Sequence, residues 1–446
     1  MTTLPLLPYQ DEAATVMIGR ERFGLFDEMG VGKTATAIGA LDKLGARRIM
    51  IVAPAAVREV WVGEFKKFST MQRKVIKGKS IHDFGMWMKG RADVLITSYE
   101  MATKWAPKID DLYDALVLDE AHYLKSHDAL RTRALLGTHC DGKKGAARWA
   151  TRVWFLTGTP APNDPIDVWP FLRFTGGTNL TIAQFTTRYF VSKMGTFSAR
   201  QEPRKETLPE LRAIIEANSL RRTKTDVGMK LPPIWLTTQT VDGDTDEIKA
   251  ILRQFPGLAS AIIEAIDRGG LSFLDAQHIA TLRRLVGEAK APAFVDLMAE
   301  ELANGMDKVV IMGIHTKALE IVREGLAARG HKVVMITGSV SERDRMQAVH
   351  DFQNDPATRV FIGNVRAAGT GITLTAAADI VMFESSWSPA DNAQALMRIH
   401  RLGQTRQVRA RFISLAGSID EVVSETVARK TASIARLGLD VVAEPV

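Results

Sequence analysis

Two glycines and a lysine near the amino terminus form a pattern that can hold phosphate. Gly30, Gly32, Lys33 and Thr34 (GVGKT) follow a short apolar run and open a segment with helical periodicity. Glycines let backbone N–H groups approach phosphate oxygens, and a helix N-terminus adds positive potential. We expect Lys33 to reach the β- and γ-phosphates of a nucleoside triphosphate and Thr34 to bind Mg²⁺. A full phosphate loop has a glycine where Asp27 stands, so only the second half of the pattern is present.

Two adjacent carboxylates end another apolar run, in the DEAH sequence that extends from Asp119 to His122. In a parallel sheet, ligand chemistry gathers at the carboxyl ends of the strands. We expect Asp119 to hold Mg²⁺ through water and Glu120 to orient and deprotonate the attacking water. His122 is placed to sense the γ-phosphate and to couple the two halves of the chain. Together the phosphate loop and this acidic box predict a nucleoside triphosphatase.

The elements that must position these residues follow an α/β pattern. Short apolar runs separated by helical segments predict a parallel sheet covered on both faces. The strands predicted in the first half are Phe23–Phe26, Arg48–Ala53, Val94–Thr97, Leu116–Asp119 and Val153–Thr157, with helices at Thr34–Leu44 and Ala56–Phe68. Those predicted in the second half are Val309–Met312, Lys332–Ile336, Arg359–Ile362, Ile380–Phe383 and Val408–Ile413, with helices at Lys317–Ala328, Ser341–Phe352 and Ala390–Leu402.

These two patterns predict two α/β lobes, as expected for a chain of 446 residues. We place the first lobe at residues 1–225, with a helical insertion at about 164–220. The second lobe is placed at residues 226–446, with a helical segment at about 244–304. Leu231-Pro232-Pro233 interrupts any helix and predicts a hinge between them.

The composition indicates a globular protein with a polyanionic partner. The formal net charge is +7, which suits nucleic acid because neutralising phosphates releases counterions. No apolar stretch approaches the roughly 20 residues that span a bilayer, and Met1–Gln10 lacks the pattern of a signal peptide. The single cysteine, Cys140, excludes an internal disulfide and a cysteine-cluster zinc site, and it fits a reducing compartment. We therefore expect a cytoplasmic protein that acts without a membrane.

The ordered motifs of the chain resemble helicase superfamily two and, within it, the Snf-type DNA translocases. The resemblance runs nearly end to end. It is carried by Leu7–Gln10 (Q motif), Asp27–Thr34 (motif I), Val52–Pro54 with Trp61 (Ia), Thr97–Glu100 (Ib), Asp119–His122 (II), Thr157–Pro160 (III), Leu220–Lys224 with Leu231–Pro233 (the junction into lobe two), Val310–Met312 with His315 (IV), Ala368–Leu374 (V) and Gln394–Gln404 (VI).

The family resemblance implies two RecA-like lobes of the P-loop class, with ATP and Mg²⁺ held between them. It implies that Gln10 reads adenine, that Gly371 lies at the nucleotide, and that Lys33 and Glu120 are catalytic together with two arginine fingers. The fingers are Arg398 and Arg401, which we place on one face of a helix because they are three residues apart. Coupling between hydrolysis and movement is assigned to His122, Thr157, Thr159 and Gln394.

The expected partner is DNA, duplex or branched. The resemblance assigns phosphate-backbone contacts to Thr97 and Ser98 in lobe one and to Thr370 in lobe two. Six basic residues are added from their charge: Arg58, Lys66, Lys67, Arg221, Arg222 and Arg366. Two departures from the family pattern bear on coupling: Leu396-Met397 stands where an acidic residue usually precedes the first arginine finger, and Thr373 stands where asparagine is common.

Several functions remain open at this stage. The leading one is an ATP-dependent translocase that remodels or reanneals duplex DNA without unwinding it. Within the family, His315 followed by a helix favours the small annealing-helicase branch. The alternatives are a strand-separating DNA or RNA helicase, a scaffold with an inactive ATP site, and the motor subunit of a restriction system. The small size of the chain favours a phage or bacterial source.

Overall fold

In a computed structural model, the chain divides into two compact units, residues 1–228 and 229–446. The structure describes residues 3–161, 165–194, 199–255, 257–260, 262, 276–338, 340–365, 372–436 and 441–443. Each unit has its own parallel sheet, with a hydrophobic core on either face of it. No helix among these residues is long and apolar enough to cross a membrane.

Parallel strands form the main sheet of the first unit, which has seven strands among the described residues. In chain order they are β1 (Arg22–Leu25), β2 (Ile49–Val52), β3 (Val75–Gly78), β4 (Val94–Thr97), β5 (Tyr113–Asp119), β6 (Ala150–Leu156) and, after a separate hairpin of β7 (Phe190–Met194) and β8 (Ala199–Pro203), β9 (Ser219–Leu220). Their order across the sheet is β3-β4-β2-β5-β6-β1-β9. All pairings are parallel, whereas β7 and β8 are antiparallel.

Both faces of this sheet are buried, because alternate residues of each strand enter different cores. Met50 and Val52 pack in one cluster with Phe155. Ile49 and Ile51 pack in another on the opposite face. The helices that supply these cores are Pro8–Ile18, Lys33–Lys43, Arg58–Phe68, Ile81–Met88, Tyr99–Trp105, Leu130–Leu136, Trp169–Thr175, Ile182–Tyr189 and Leu208–Asn218. This burial explains why the central strands read as continuous apolar runs.

The second unit repeats this plan. Among its described residues, seven parallel strands form one sheet: β10 (Ile234–Val241), β11 (Val309–Gly313), β12 (Lys332–Ile336), β13 (Thr358–Asn364), β14 (Asp379–Met382), β15 (Val408–Leu415) and β16 (Val441–Ala443). Their order is β12-β13-β11-β14-β15-β10-β16. The helices are Asp246–Gln254, Ala276–Ala303, Thr316–Ala328, Glu342–Asn354, Pro389–Leu396 and Asp420–Arg436.

The predicted α/β class with two parallel sheets is confirmed, and so are the ten predicted strands, to within a few residues at their ends. The strands that the sequence missed lie at or beside sheet edges: β3, β9, β10 and β16. Within the described sheets, the edge strands β3, β9 and β16 are paired on one side only, so their apolar runs are weaker. β10 is paired on both sides but exposes Trp235, which interrupts its apolar pattern. The insertion at 164–220 is less helical than expected, because it also contains the hairpin of β7 and β8.

One predicted helix is too long. The helix expected at Ala390–Leu402 ends at Leu396, and turns follow it. Arg398 and Arg401 therefore lie beyond the helix, and the argument that places them on one helical face is wrong. Side-chain hydrogen bonds to backbone carbonyls hold the turns instead, from Gln404 to Ala377 (2.7 Å) and between His400 Nε2 and Pro232 O (2.7 Å).

Candidate nucleotide site in the first unit

The candidate site lies at the carboxyl ends of three neighbouring strands. The phosphate loop follows β1, Asp119 is the last residue of β5, and Thr157 follows β6. In the sheet register, Leu156 of β6 lies beside both Leu25 of β1 and Asp119 of β5. The sheet thus brings together three motifs that are spread between residues 27 and 160 of the chain, in the region where parallel sheets carry ligand chemistry.

Backbone conformation and burial define the phosphate loop. Gly30 and Gly32 have φ of +88° and +94°, a region that side chains other than glycine rarely occupy. Lys33 donates from Nζ to the carbonyl oxygens of Asp27 (2.8 Å) and Glu28 (3.2 Å). Burial lowers the pKa of Lys33, and the nearby carboxylates oppose that shift. The ammonium is thus close to the loop backbone, where it can exchange these carbonyls for phosphate oxygens.

The start of the first helix packs against this loop. Gln10 Nε2 donates to Val31 O (3.2 Å), and its Oε1 accepts from the Leu7 N–H (3.0 Å). The Tyr9 hydroxyl donates to the same Val31 carbonyl (2.9 Å). A Cβ on Gly32 would come within 2.2 Å of Gln10 Nε2, so this contact requires glycine. The structure therefore places Gln10 against the phosphate loop, while adenine recognition by Gln10 stays a prediction.

Asp119 is a buried carboxylate with few neutralising contacts. Trp61 Nε1 donates to its Oδ2 (2.7 Å), and the Glu120 N–H donates to its Oδ1 (3.0 Å). Burial, and then the charge of Glu120, raise the pKa of Asp119 to about 6. Glu120 itself has φ +50°, an uncommon conformation for a residue other than glycine. Two adjacent carboxylates in a buried site, one with a raised pKa, are the expected surroundings for a cation.

A short network links the acidic box to the segment after β6. His122 Nδ1 lies 3.2 Å from Thr157 Oγ1 and 3.3 Å from Glu120 Oε2. The Thr159 N–H donates to Thr157 Oγ1 (3.1 Å). Four residues assigned separately to catalysis and coupling are therefore in one connected set, although their coupling role stays a prediction.

The same segment also touches the phosphate loop. A Cβ on Gly158 would lie 2.8 Å from Met29 Cγ and 3.5 Å from Lys33 Nζ. A displacement of the phosphate loop would therefore displace the turn at Gly158, because no free space separates the turn from the loop.

Sequence reasoning missed four supporting residues. Trp61, which the family resemblance gives only as part of motif Ia, donates its indole N–H to Asp119. Tyr99 donates its hydroxyl to the Asp119 carbonyl (2.8 Å), and burial raises its pKa well above the usual range, so it stays protonated. Arg222 and Lys224 form ion pairs with Asp27 and Glu28 of the phosphate-loop segment. The last two could have been found from their charges, because the basic run at Leu220–Lys224 is complementary to the acidic pair Asp27-Glu28 of motif I.

Two nucleic-acid contacts proposed for lobe one need correction. Thr97 is fully buried and its hydroxyl donates to Gly78 O (3.3 Å), so its side chain is not presented to a DNA backbone. Ser98 is also buried, and its hydroxyl caps the helix Tyr99–Trp105 by accepting from the Met101 N–H (3.3 Å). Arg58 is half-buried and donates to the Ala55 carbonyl (3.1 Å), a bond that a phosphate could replace.

The assigned residues of the second unit lie partly outside the described residues. This holds for Arg366, Thr370 and Gly371. Arg398 donates from Nε to Gln394 O (3.2 Å), and Arg401 donates from Nη1 to Ile372 O (3.4 Å). Both guanidinium groups are half-buried, and each is oriented by a backbone carbonyl of its own unit.

His315 of motif IV has a structural partner. Its Nδ1 lies 2.7 Å from Glu384 Oε1, and the backbone N–H groups of Ile314 and His315 donate to Glu384 Oε2 (2.9 and 2.8 Å). Burial works against ionisation of Glu384, but these hydrogen bonds prevail and hold its pKa below the usual value. His315 is therefore a hydrogen-bonded residue that fixes the end of β11 to Glu384.

Comparison with known proteins gives the family. A model described as the SNF2-related domain matches residues 9–266, and one described as the helicase conserved C-terminal domain matches residues 289–403. The chain is 29% identical over 443 residues to the Bos taurus protein named DNA annealing helicase and endonuclease ZRANB3, covering 95% of this chain and 40% of that protein. It is 27% identical over 463 residues to the Drosophila melanogaster protein named SWI/SNF-related matrix-associated actin-dependent regulator of chromatin subfamily A-like protein 1, covering 97% and 56%.

A solved structure titled Sulfolobus solfataricus SWI2/SNF2 ATPase core in complex with dsDNA covers 96% of this chain and 94% of its own, with 19% identity and a TM-score of 0.43. The chain spans about 40% to 56% of the length of the two curated relatives named above. The resemblance to Snf-type ATPases stated from the motifs is confirmed by the family matches. Because the SNF2-related model covers more than half of its length, the chain belongs to the SNF2-related family.

Proposed function

We propose that this chain hydrolyses ATP and uses the free energy to move along duplex DNA, remodelling or reannealing it without separating the strands. One observation carries the proposal. Lys33, the Asp119-Glu120 pair and the His122–Thr157 contact come together at the carboxyl ends of β1, β5 and β6, in a chain of the SNF2-related family. These are the parts that phosphoryl transfer requires, a phosphate cradle, a charge-bearing acidic pair and a sensor.

The residues of the first unit would bind the nucleotide as follows. Gln10 reads the adenine, the loop glycines and Lys33 hold the phosphates, and Thr34 and Asp119 hold Mg²⁺. A hydroxyl and a carboxylate with a raised pKa fit Mg²⁺, which prefers oxygen ligands and takes few of them from the protein. When bound, the ion neutralises charge on the β- and γ-phosphate oxygens.

Hydrolysis would use Glu120 as the base. Its carboxylate orients a water molecule and accepts a proton as the water oxygen bonds to the γ-phosphorus. The bond from the γ-phosphorus to the bridging oxygen of ADP breaks at the same step. Arg398 and Arg401 of the second unit, with Gly371 and Gln394, are proposed to complete the site and to neutralise charge on the transferred phosphoryl group. Loss of the γ-phosphate would be transmitted to the rest of the motor by Thr157, Thr159 and His122.

DNA binding is proposed to depend on phosphate contacts, which carry no sequence information. Arg58, Arg366 and Thr370 remain the candidates, and Ser98 contributes its backbone position rather than its hydroxyl. The net charge of +7 favours such binding and makes it sensitive to salt. An annealing activity, which the name of the bovine relative states for that protein, is proposed for this chain as well. Action in the cytoplasm stays a prediction. A bacterial or phage source also stays a prediction, and the animal sources of the named relatives do not support it.

Steady-state ATP hydrolysis tests this proposal. The purified chain is assayed at low salt without nucleic acid and with single-stranded DNA, duplex DNA or RNA. We expect duplex DNA to stimulate hydrolysis by about tenfold or more and Glu120→Gln to abolish it, since a general base contributes about 10²- to 10⁴-fold. Glu324→Gln serves as the matched control, because Glu324 is an exposed residue paired with its neighbour Arg323. Absence of ATP hydrolysis by the folded wild type would remove the proposal.

The main alternative is a strand-separating helicase. It predicts stimulation by single strands or RNA alone, together with ATP-dependent opening of a forked duplex. The translocase predicts stimulation by duplex DNA and an intact fork. The two assays together therefore decide between them.

A further inference from the structure

Two ion pairs attach the phosphate loop to the segment that leads out of the first unit. Asp27 is fully buried, and its carboxylate accepts from the Arg222 backbone N–H (2.9 Å) and from Arg222 Nε (3.1 Å), while Arg222 Nη2 bonds the other carboxylate oxygen. Arg222 Nη1 reaches the Tyr9 carbonyl (2.6 Å). Lys224 Nζ lies 3.2 Å from Glu28 Oε1, and its backbone N–H donates to Glu28 Oε2 (2.9 Å). We call Ser219–Lys224 the junction segment.

The backbone pairing between the two segments extends beyond the sheet. Gly24 and Leu25 of β1 pair with Ser219 and Leu220 of β9. Past the strand ends, the Phe26 N–H donates to Leu220 O (2.7 Å) and the Glu28 N–H donates to Arg222 O (2.9 Å). The junction segment therefore follows the entry to the phosphate loop residue by residue, over the positions where motif I of this chain carries Asp27 and Glu28.

Asp27 and Glu28 are thus held from two directions. Their carbonyl oxygens accept from Lys33, the lysine proposed to bind phosphate. Their carboxylates are held by Arg222 and Lys224. When Lys33 turns to a nucleotide, it gives up bonds to those carbonyls, and the ion pairs on the other side keep the loop in place. A glycine at position 27, as in the full phosphate-loop pattern, would have no side chain for this attachment.

We propose that Arg222 is a positioning residue of the ATP site, which fixes the phosphate loop through Asp27 and the start of the first helix through Tyr9, and so prepares the loop for nucleotide. The inference rests on the proposed function, because it assigns a role in ATP binding. Arg222 holds the loop through the Asp27 side chain, whereas Lys33 bonds the loop carbonyls, and Arg222 is assigned no contact with the reacting atoms. Its loss should therefore weaken nucleotide binding more than it slows the chemical step.

The test compares two equivalent substitutions in the first unit. Arg222→Lys keeps the charge but loses the planar fork that reaches both carboxylate oxygens and Tyr9 at once. Arg73→Lys is the matched control, because Arg73 forms another buried arginine–aspartate pair in this unit, with Asp42, and also bonds the Leu41 and Ala46 carbonyls. The measurements are kcat and KM for ATP with duplex DNA, the Kd of Mg·ADP by calorimetry, and the melting temperature.

We expect Arg222→Lys to raise the KM for ATP and the Kd of Mg·ADP by about tenfold or more, with kcat within about threefold of wild type. Arg73→Lys should lower the melting temperature but leave both binding constants within about twofold. If Arg222→Lys loses melting temperature while its KM and Kd match those of Arg73→Lys, Arg222 is a structural residue only and the inference is wrong.

A second variant covers the case in which Arg222→Lys does not fold. Asp27→Asn combined with Arg222→Gln leaves a neutral amide pair, so no buried charge stands alone. Weaker binding of Mg·ADP by this folded double variant supports the inference, and wild-type binding contradicts it. A wild-type chain that neither binds nor hydrolyses ATP removes the proposed function and this inference with it, whereas an active wild type beside an unaffected Arg222→Lys removes the inference alone.

Discussion

The imidazole Nδ1 of His122 lies 3.2 Å from the hydroxyl oxygen of Thr157, which joins the acidic box at the end of β5 to the turn that follows β6. The same hydroxyl accepts from the Thr159 N–H, and the same nitrogen lies 3.3 Å from Glu120 Oε2. A change at the proposed catalytic carboxylate can therefore reach the Thr157–Thr159 turn through a single histidine.

This contact predicts that Thr157→Val separates hydrolysis from its stimulation by DNA. The substitution keeps the branched shape but removes the hydroxyl, and with it the bonds to His122 and Thr159. We expect basal ATP hydrolysis to stay within about threefold of wild type, while stimulation by duplex DNA falls by about fivefold or more, as expected for coupling worth about 1 kcal/mol. Hydrolysis rates with and without duplex DNA give both quantities.

Thr132→Val is the control for this prediction. Thr132 is a fully buried threonine of the same unit, whose hydroxyl donates to the backbone carbonyl of Leu124 (3.4 Å) rather than to a side chain of the acidic box. It should retain DNA stimulation. Equal stimulation in Thr157→Val and Thr132→Val would show that the contact carries no coupling.

The contact between Gly32 and Gln10 predicts that Gly32→Ala abolishes nucleotide binding. The new side chain would require an L-residue at a φ of +94°, and its Cβ would come within 2.2 Å of Gln10 Nε2, so the loop backbone is strained and Gln10 must leave its bond to Val31 O. We expect the Kd of Mg·ADP to rise by about 100-fold or more, on top of a backbone penalty of about 1 kcal/mol. Calorimetric titration with Mg·ADP measures the effect.

Gly45→Ala separates backbone strain from this clash. Gly45 also has a positive φ, +63°, but a Cβ there meets nothing within 4 Å. It should lose about 1 kcal/mol of stability and bind Mg·ADP as wild type does. A comparable loss of binding in both variants would argue against the role given to the Gln10 contact.

Trp61 is predicted to act on the ATP site through Asp119. Its indole N–H stabilises the charged carboxylate, so Trp61→Phe should raise the pKa of Asp119 further above its value of about 6. Binding of Mg·ATP, which needs the charged form, should then weaken by about fivefold to tenfold near pH 6.5 and recover towards pH 8. The KM for ATP measured across this range reports the shift.

Trp154→Phe is the matched control for that measurement. Trp154 is equally buried, but its indole N–H donates to the Arg20 carbonyl (3.3 Å) rather than to a carboxylate. Its pH profile should follow that of wild type. An unshifted profile in Trp61→Phe would mean that the indole only fills space.

The raised pKa of Asp119 also predicts how stability depends on pH. Between the ordinary value of 3.8 and about 6, the folded state binds more protons at Asp119 than the unfolded state does. The contribution of Asp119 to the free energy of unfolding is therefore highest below 3.8 and is lost as the pH rises through about 6. Asp119→Asn should raise the melting temperature of the nucleotide-free chain at pH 8 and have little effect at pH 4.

Asp355→Asn should show the opposite trend. Hydrogen bonds from Lys332, Thr358 and the Ala357 N–H hold the pKa of Asp355 well below its usual range, so its contribution is present at neutral pH and is lost in acid. Thermal melts of both variants at pH 4, 6 and 8 test whether the change in melting temperature has the expected direction in each. A destabilised Asp119→Asn at pH 8 would contradict the account of a cation site.

Local sequence patterns predicted the parts of the site that lie within single turns. The Gly30–Thr34 loop and the Asp119–His122 box could be recognised because each is a short run with a strand before it. The pairing of Asp27 with Arg222 joins residues 195 positions apart, and only the pairing of β1 with β9 brings them together. The sequence shows that these two positions have opposite charges, but it does not show that β1 pairs with β9 or in which register.

Two errors have equally physical causes. The side chain of Thr97 is buried because Gly78 of the edge strand β3 lies beside it, and the sequence missed that strand. The helix containing Gln394 ends early because hydrogen bonds from His400 and Gln404 to backbone carbonyls outside the helix replace its last turns. In both cases a tertiary contact overrides a local pattern.

Triplex displacement tests the central claim, movement along duplex DNA powered by ATP, most directly. A third strand is bound on a duplex track and its release is followed while the chain hydrolyses ATP. The account predicts ATP-dependent release by the wild type, none by Glu120→Gln, and no strand separation of a forked duplex under the same conditions. A wild type that hydrolyses ATP with duplex DNA but leaves the third strand in place, or that opens the fork, would contradict it.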